Sequence, residues 1–300
     1  MKKDNLKSNL IFSLITQILT YLFPLIISPY LSRVLGPENI GINTFVKSLS
    51  SYFVYFIAFG FIGYGTRKIA IYSSDKNAYS CHFWSIFISK QIFFILSVIV
   101  YLLLFYVFNL FSEYHNFLLV YISLLLAESL NISFLFQGLE KFKIVSILNI
   151  VFRFSSLIFM FIFVKNEADL LNYMIIYCIQ VLGISLAMMM ILPKFISKPV
   201  IDIKTIKESI KGSLLFFLPT FSIFLASTLD ITILGIARSK LEVGFYEETN
   251  KIITMVVGVI VAVAPVMLSR MSKLSNETDN CDFSNKLNML FNVFLFFIIP

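Results

Sequence analysis

The sequence predicts an all-α fold, a polytopic membrane helix bundle, on three observations. Hydrophobic residues make up 58% of the 300 and charged residues only 14%, whereas a soluble domain carries about 25% charged residues. The apolar residues gather into runs long enough to cross a bilayer as helices, for which about 20 residues suffice. The period-two alternation that a transmembrane barrel requires is missing, and helices and closed barrels are the structures that satisfy their own backbone inside lipid.

Nine apolar runs follow in order, at about 10–32, 42–64, 83–108, 117–136, 144–164, 170–192, 213–236, 246–268 and 287–300. The first is preceded by Lys2, Lys3 and Lys7 and has no small-residue cleavage site, so it reads as a retained helix and not as a signal peptide. Pro24 and Pro29 in the first run, Pro219 in the seventh and Pro265 in the eighth each remove a helical hydrogen bond and predict kinks. Between the sixth and seventh runs, Ile203, Ile206 and Ile210 fall at helical spacing with Lys204, Lys207 and Lys211 between them. That pattern predicts an interfacial amphipathic helix with its cations toward anionic headgroups, a solvated linker being the alternative. Sixteen Lys and Arg fall in the loops on the N-terminal side of the membrane against four on the other, Arg33, Lys165, Arg238 and Lys240. The excess of positive charge places the N-terminus in the cytoplasm.

The stretch 213–244 looks like a second beginning. A shift of 203 residues lays the first run on Ser213, Gly41 on Gly244 and Tyr64 on Met267. Six spans per repeat is an even number, so both repeats enter from the same side and are related by an axis along the membrane normal. The expected organisation is an N-terminal six-helix lobe over 1–192, a cytoplasmic interfacial linker helix over 193–212, and the start of a second lobe, helices seven to nine, over 213–300. Since the ninth run stops in mid-span, the chain is expected to be the N-terminal part of a longer protein whose second lobe is cut short here.

Composition and motifs exclude several functions. The net charge of +7 invites a nucleic-acid reading, but the cations are scattered between apolar runs and form neither a stripe nor an aromatic platform. Cys81, Cys178 and Cys281 are widely spaced, form no CxxC and make no pair with His82 or His115 at ligand spacing, so neither a disulfide framework nor a metal site is expected. No phosphate loop, nucleophile elbow or HExxH motif is present, and the adjacent acids Glu247 and Glu248 sit at a span entrance. The chain does not read as an enzyme, and no cofactor is expected beyond coupling to a proton or sodium gradient.

Charges inside the apolar runs are the candidate functional groups, because an ionisable residue in lipid is costly unless it faces protein or water. Glu128 and Arg153 flank the turn near Glu140 at similar distances, so in a continuous antiparallel hairpin they share one depth and could pair. The alternative is that Arg153 faces a cavity and binds an anion. Lys47 and Lys251 enter spans two and eight at positions that differ by one under the 203-residue shift. Such a pair suits a polyanion, although snorkelling of either side chain to the interface would also account for it. Lys90 is expected to snorkel. Asp230 lies in the outer third of span seven, where it could take up a proton or sodium ion or pair with Lys251.

SRVLGPENIGINTF (32–45), FGFIGYGTRKIA (59–70), FQGLEKFK (136–143) and TLDITILGIARSKLEVGFYEETNKI (228–252) together resemble the polysaccharide and O-antigen flippases, the Wzx-type members of the superfamily that also holds the multidrug and toxin extruders. The resemblance places Arg33 in an S-R-x-L-G motif, Gln137 and Glu140 in F-Q-G-x-E, and Asp230 in D-x-x-x-L-G. It implies two six-helix bundles around a central cavity, as in those extruders. It further implies translocation of undecaprenyl-diphosphate-linked oligosaccharide across the bacterial inner membrane by alternating access, with membrane lipids and other polysaccharide assembly proteins as partners. Arg33, Lys47, Arg153 and Lys251 are then the candidate diphosphate and glycan ligands, and Asp230 and Glu128 the candidate ion-coupling or structural acids. An exporter of organic cations from the same superfamily is the alternative, and would call for an acidic or aromatic cavity.

Overall fold

The computed structural model of the chain describes residues 26–197 and 202–254, with Thr16, Leu19, Thr20, Leu22, Phe23 and Pro24 ahead of them. The ninth apolar run, the eighth beyond 254, Pro265 and Cys281 lie outside the described residues. Within them the architecture is all helical. In chain order the helices are α1 (Leu22–Val34), α2 (Gly36–Ala58), α3 (Phe61–Ile71), α4 (Lys76–Leu102), α5 (His115–Ser129), α6 (Ser133–Gly138), α7 (Phe142–Phe163), α8 (Leu170–Ile191), α9 (Ile203–Ala237) and α10 (240–254). With α2 and α3 forming one broken crossing and α5 and α6 another, six stretches are long and apolar enough to cross a membrane. The protein is a multi-pass membrane protein.

Local chemistry sets the helix starts. Pro37 sits in the first turn of α2, where a missing N–H is harmless. The Asp75 carboxylate caps α4 by accepting from the amides of Asn77 and Ala78 at 2.9 and 3.3 Å. Asp202 caps α9 in the same way, accepting from Lys204 and Thr205 at 3.1 and 3.2 Å. The Thr205 hydroxyl and the Lys204 amide also hold the Asp202 carboxyl below its ordinary range.

Two breaks interrupt the long crossings. At the first, Phe59 and Gly60 are both left-handed, and a Cβ on Gly60 would lie 2.4 Å from the Ser213 carbonyl oxygen. Glycine therefore lets α9 run against the α2–α3 junction, where Phe59 stacks on Phe217 and Tyr55 on Phe224. At the second break, residues 130–132 leave α5 before α6 begins. Lys90 of α4 donates to the Asn131 carbonyl at 3.0 Å and Gln91 to the Ser129 carbonyl at 2.9 Å, while the Asn131 side-chain oxygen accepts from the Ser133 amide at 3.1 Å. The Lys90 ammonium also meets Glu128 at 2.8 Å, and Asn131 donates to the other Glu128 oxygen at 3.1 Å.

Glu128 thus pairs with Lys90 and not with Arg153. The expectation of a Glu128–Arg153 pair counted residues along an unbroken hairpin, and the unwound 130–132 segment invalidates that count. Lys90 does not snorkel either: it is fully buried. The expected separate interfacial helix is also absent, because residues 203–212 are the first turns of a single 35-residue helix that runs on through Pro219 to Ala237. At 1.5 Å per residue α9 is about 52 Å long, well beyond the ~30 Å hydrocarbon core. Its projecting turns hold Lys204, Lys207 and Lys211 in the open, while Ile210 packs into the core shared by α3, α4 and α6.

The second core lies between α2, α5 and α8, around Phe45, Leu49, Tyr121, Leu125 and Met174. Along α7, Val151, Phe154, Ile158 and Ile162 form an exposed stripe at helical spacing, a surface suited to lipid. One further contact concerns the repeat. A Cβ on Gly41 would lie 1.7 Å from the Lys240 carbonyl oxygen, and one on Gly244 would lie 1.9 Å from the Pro37 carbonyl oxygen. The pairs Pro37/Lys240 and Gly41/Gly244 are both separated by 203 residues, so α2 and α10 meet reciprocally, each glycine against the other helix's backbone, as two-fold related elements do.

Removing Lys90 should therefore unsettle more than a charge. Lys90→Met leaves Glu128 and a carbonyl buried without a cation and should lower stability in detergent by about 3–5 kcal/mol. Adding Glu128→Leu should restore part of that loss, with chemical denaturation of the purified variants as the measurement.

Candidate cargo cavity

Beside the α2–α10 glycine contact lies a cavity of about 420 Å³, within the size range of small-molecule sites. Its wall takes Ile27 and Leu31 from α1; Ile40, Asn43, Thr44, Lys47, Ser48 and Ser51 from α2; Arg153 and Met160 from α7; and Tyr173, Tyr177 and Gln180 from α8. Thr228 and Ile231 come from α9, and Glu247 and Lys251 from α10. Three predicted cations, Lys47, Arg153 and Lys251, thus arrive from three different helices, with Glu247 as the single carboxylate among the lining residues.

Each cation is held differently. The Lys47 ammonium sits over the Tyr177 ring at 4.5 Å from its centroid, a cation–π contact, and has no carboxylate at ion-pair distance among the described residues. Arg153, half-buried, has no carboxylate at ion-pair distance among the described residues. Nearby, the Ser156 hydroxyl bonds the Arg153 carbonyl at 2.8 Å and Gln180 at 2.7 Å, tying α7 to α8. Lys251 is neutralised instead: it meets Glu248 at 2.7 Å and Glu247 at 4.0 Å, and donates to Ser28 of α1 at 3.4 Å. The Ser28 hydroxyl in turn donates to the second oxygen of Glu248.

The other predicted residues lie elsewhere. Arg33 is exposed and outside the cavity wall. Asp230 is also exposed, on the face of α9 turned away from Thr228 and Ile231, and accepts from the Tyr246 hydroxyl at 3.0 Å. It does not pair with Lys251, whose charge is met by Glu248. Glu128 belongs to the break in the α5–α6 crossing. Gln137 accepts from Thr66 at 3.2 Å, and Gly138 beside it lets α6 close on α3, since a Cβ there would lie 2.6 Å from Ile69. The F-Q-G portion is thus a packing feature.

Sequence reasoning missed Tyr173, Tyr177 and Gln180, although their spacing puts them on one helical face. It also passed over Glu247 and Glu248 as groups at a span entrance.

Fold and cavity together define a class: a multi-pass, all-helical membrane protein with a polar, cation-rich cavity between helices from both ends of the chain. Residues 6–275 match the family described as polysaccharide biosynthesis protein, and the chain belongs to it. A putative O-antigen transporter of Escherichia coli (strain K12) is 27% identical over 275 residues, covering 90% of this chain and 66% of that protein. A putative O-antigen transporter of Shigella dysenteriae is 23% identical over 286 residues, covering 95% of this chain and 71% of that protein. The chain therefore spans roughly two thirds of these relatives. A solved chain called protein A shares the fold, with a TM-score of 0.59 at 16% identity over 89% of this chain and 65% of that one.

Placement in the cavity wall has a direct test. In a background with Cys81, Cys178 and Cys281 replaced by Ser, Ser51→Cys on the cavity wall, with Arg153 intact, should react with a small charged thiol reagent, and added pyrophosphate should slow that reaction. Phe154→Cys, on the lipid-facing stripe, should react slowly and without protection; gel-shift labelling rates measure both.

Proposed function

We propose that the protein is a flippase for lipid-linked oligosaccharide, translocating an undecaprenyl-diphosphate-linked O-antigen or capsule unit across the bacterial inner membrane by alternating access. The observation that carries this reading is the convergence of Lys47, Arg153 and Lys251 on one cavity with a single lining carboxylate. A diphosphate entering the membrane must shed hydration, and fixed cations that replace the lost water offset that cost. The family membership and the names of the two bacterial relatives support the glycan part of the reading. An exporter of organic cations is less well supported, since Lys47 and Arg153, which have no carboxylate at ion-pair distance among the described residues, would repel its cargo.

In this reading the reciprocal α2–α10 contact closes the lysine-poor, outer end of the cavity, with the N-terminus in the cytoplasm. The lobes over 1–192 and from 213 onward would rock about that contact, and the lipid tail would stay in the bilayer. Arg33, Asp230 and Glu128 stand outside the cavity wall, so the diphosphate falls to Lys47, Arg153 and Lys251. A proton or sodium gradient would supply the energy, with no cofactor and no catalytic step. Membrane lipids and other polysaccharide assembly proteins are the expected partners.

In a host whose own O-antigen transporter is deleted, Arg153→Ala should abolish surface glycan at unchanged protein abundance. Arg153→Lys should retain part of it, because the charge survives without the planar fork. Normal surface glycan with Arg153→Ala, read by immunoblot of the polysaccharide, would remove the central ligand from this reading.

A further inference from the structure

Lys251 of the cavity wall brings its own anion. Glu248 sits three residues before Lys251 on α10, and both of its oxygens are engaged, one by the Lys251 ammonium at 2.7 Å and the other by the Ser28 hydroxyl of α1. Ser28 also accepts from Lys251 at 3.4 Å, closing a three-membered ring of contacts between α1 and α10. The ring is not sealed off: the Lys251 and Glu248 side chains are 23% and 26% exposed, and Lys251 lines the cavity. Glu247 lies beyond it at 4.0 Å from the same ammonium. Of the three cations in the wall, then, Lys251 alone has a carboxylate at ion-pair distance among the described residues.

We propose that Glu248 is a resident counter-ion for Lys251 that an incoming phosphate must displace, and that this competition makes the cavity select a diphosphate over a single phosphate. The inference rests on the cargo reading given above and adds a specificity determinant to it. A tethered carboxylate acts at the effective concentration of an intramolecular group, typically millimolar or higher. A lone phosphate on Lys251 would exchange one ion pair for another and gain little. A diphosphate can hold Lys47 or Arg153 with one phosphate, so the second meets Lys251 as an intramolecular competitor on equal terms with Glu248. The same exchange allows release, since Glu248 takes Lys251 back as the cargo leaves and no bare cation is left in the cavity.

Binding of inorganic pyrophosphate and of inorganic phosphate to the purified full chain in detergent, measured by calorimetry at fixed ionic strength, tests this. Wild-type protein should prefer pyrophosphate. Glu248→Gln, which keeps the shape and the Ser28 contact but drops the charge, should tighten phosphate binding about tenfold and pyrophosphate binding less, narrowing the ratio. Ser28→Ala, which frees one oxygen of Glu248, should shift the ratio in the same direction by a smaller factor, and guards against misfolding of the first variant. An unchanged ratio in both variants, or equal weakening of both ligands, overturns the inference. If neither anion binds wild type, or if Arg153→Ala leaves both affinities as they were, the cargo reading itself fails.

Discussion

The hydrocarbon core offers no water, so every backbone group that leaves a helix there has to find a protein partner. The break at 130–132 shows how this chain meets that constraint. Lys90, Gln91 and Asn131 between them satisfy the loosened carbonyls and amide, and Glu128 balances the Lys90 charge. The charged pair therefore exists because the helix is interrupted, and the interruption lets α6 swing against α3, where Gly138 meets Ile69. Four polar side chains within the spans thus belong to the architecture and leave the cavity to a separate set.

That separate set is built from both ends of the chain. Helix α1 meets α10 through Ser28, Glu248 and Lys251, while α9 meets α2 through Thr232, which bonds Ser48 at 3.2 Å and Tyr52 at 2.9 Å. Under the 203-residue offset these are nearly the same junction used twice, with polar charge at one copy and neutral hydroxyls at the other. The cavity between them is accordingly asymmetric in charge although its framework repeats.

The fold class and the spans of runs two to seven were legible in the sequence because they depend on composition and run length, which survive without coordinates. Three of the four predicted ligands reached one cavity for a related reason: a cation inside an apolar run has few stable places to go. Arg33 did not, because it precedes Gly36 at the end of a helix, where exposure costs nothing. The pairing of Glu128 was illegible, since a span broken by Leu130, Asn131 and Ile132 carries no glycine or proline to announce it. Glu248 was missed for the opposite reason. Its position near a helix start looks ordinary in sequence, and only the fold brings Ser28, 220 residues away, onto its second oxygen.

Lys90 and Glu128 are 38 residues apart, and that separation has a consequence for synthesis. At about 5–20 residues per second, α4 leaves the ribosome roughly 2–8 s before its counter-ion exists. An unpaired lysine at the centre of an inserting helix opposes insertion by about 2.5–3.5 kcal/mol on translocon scales. The surrounding segment, with Phe83, Ile86, Phe87, Ile92, Phe93 and Phe94 nearby, is apolar enough to outweigh that penalty on its own. Insertion of α4 thus relies on local hydrophobicity, and the ion pair forms afterwards, as the α5–α6 hairpin arm enters the bilayer and brings Glu128 to a lysine already waiting at depth.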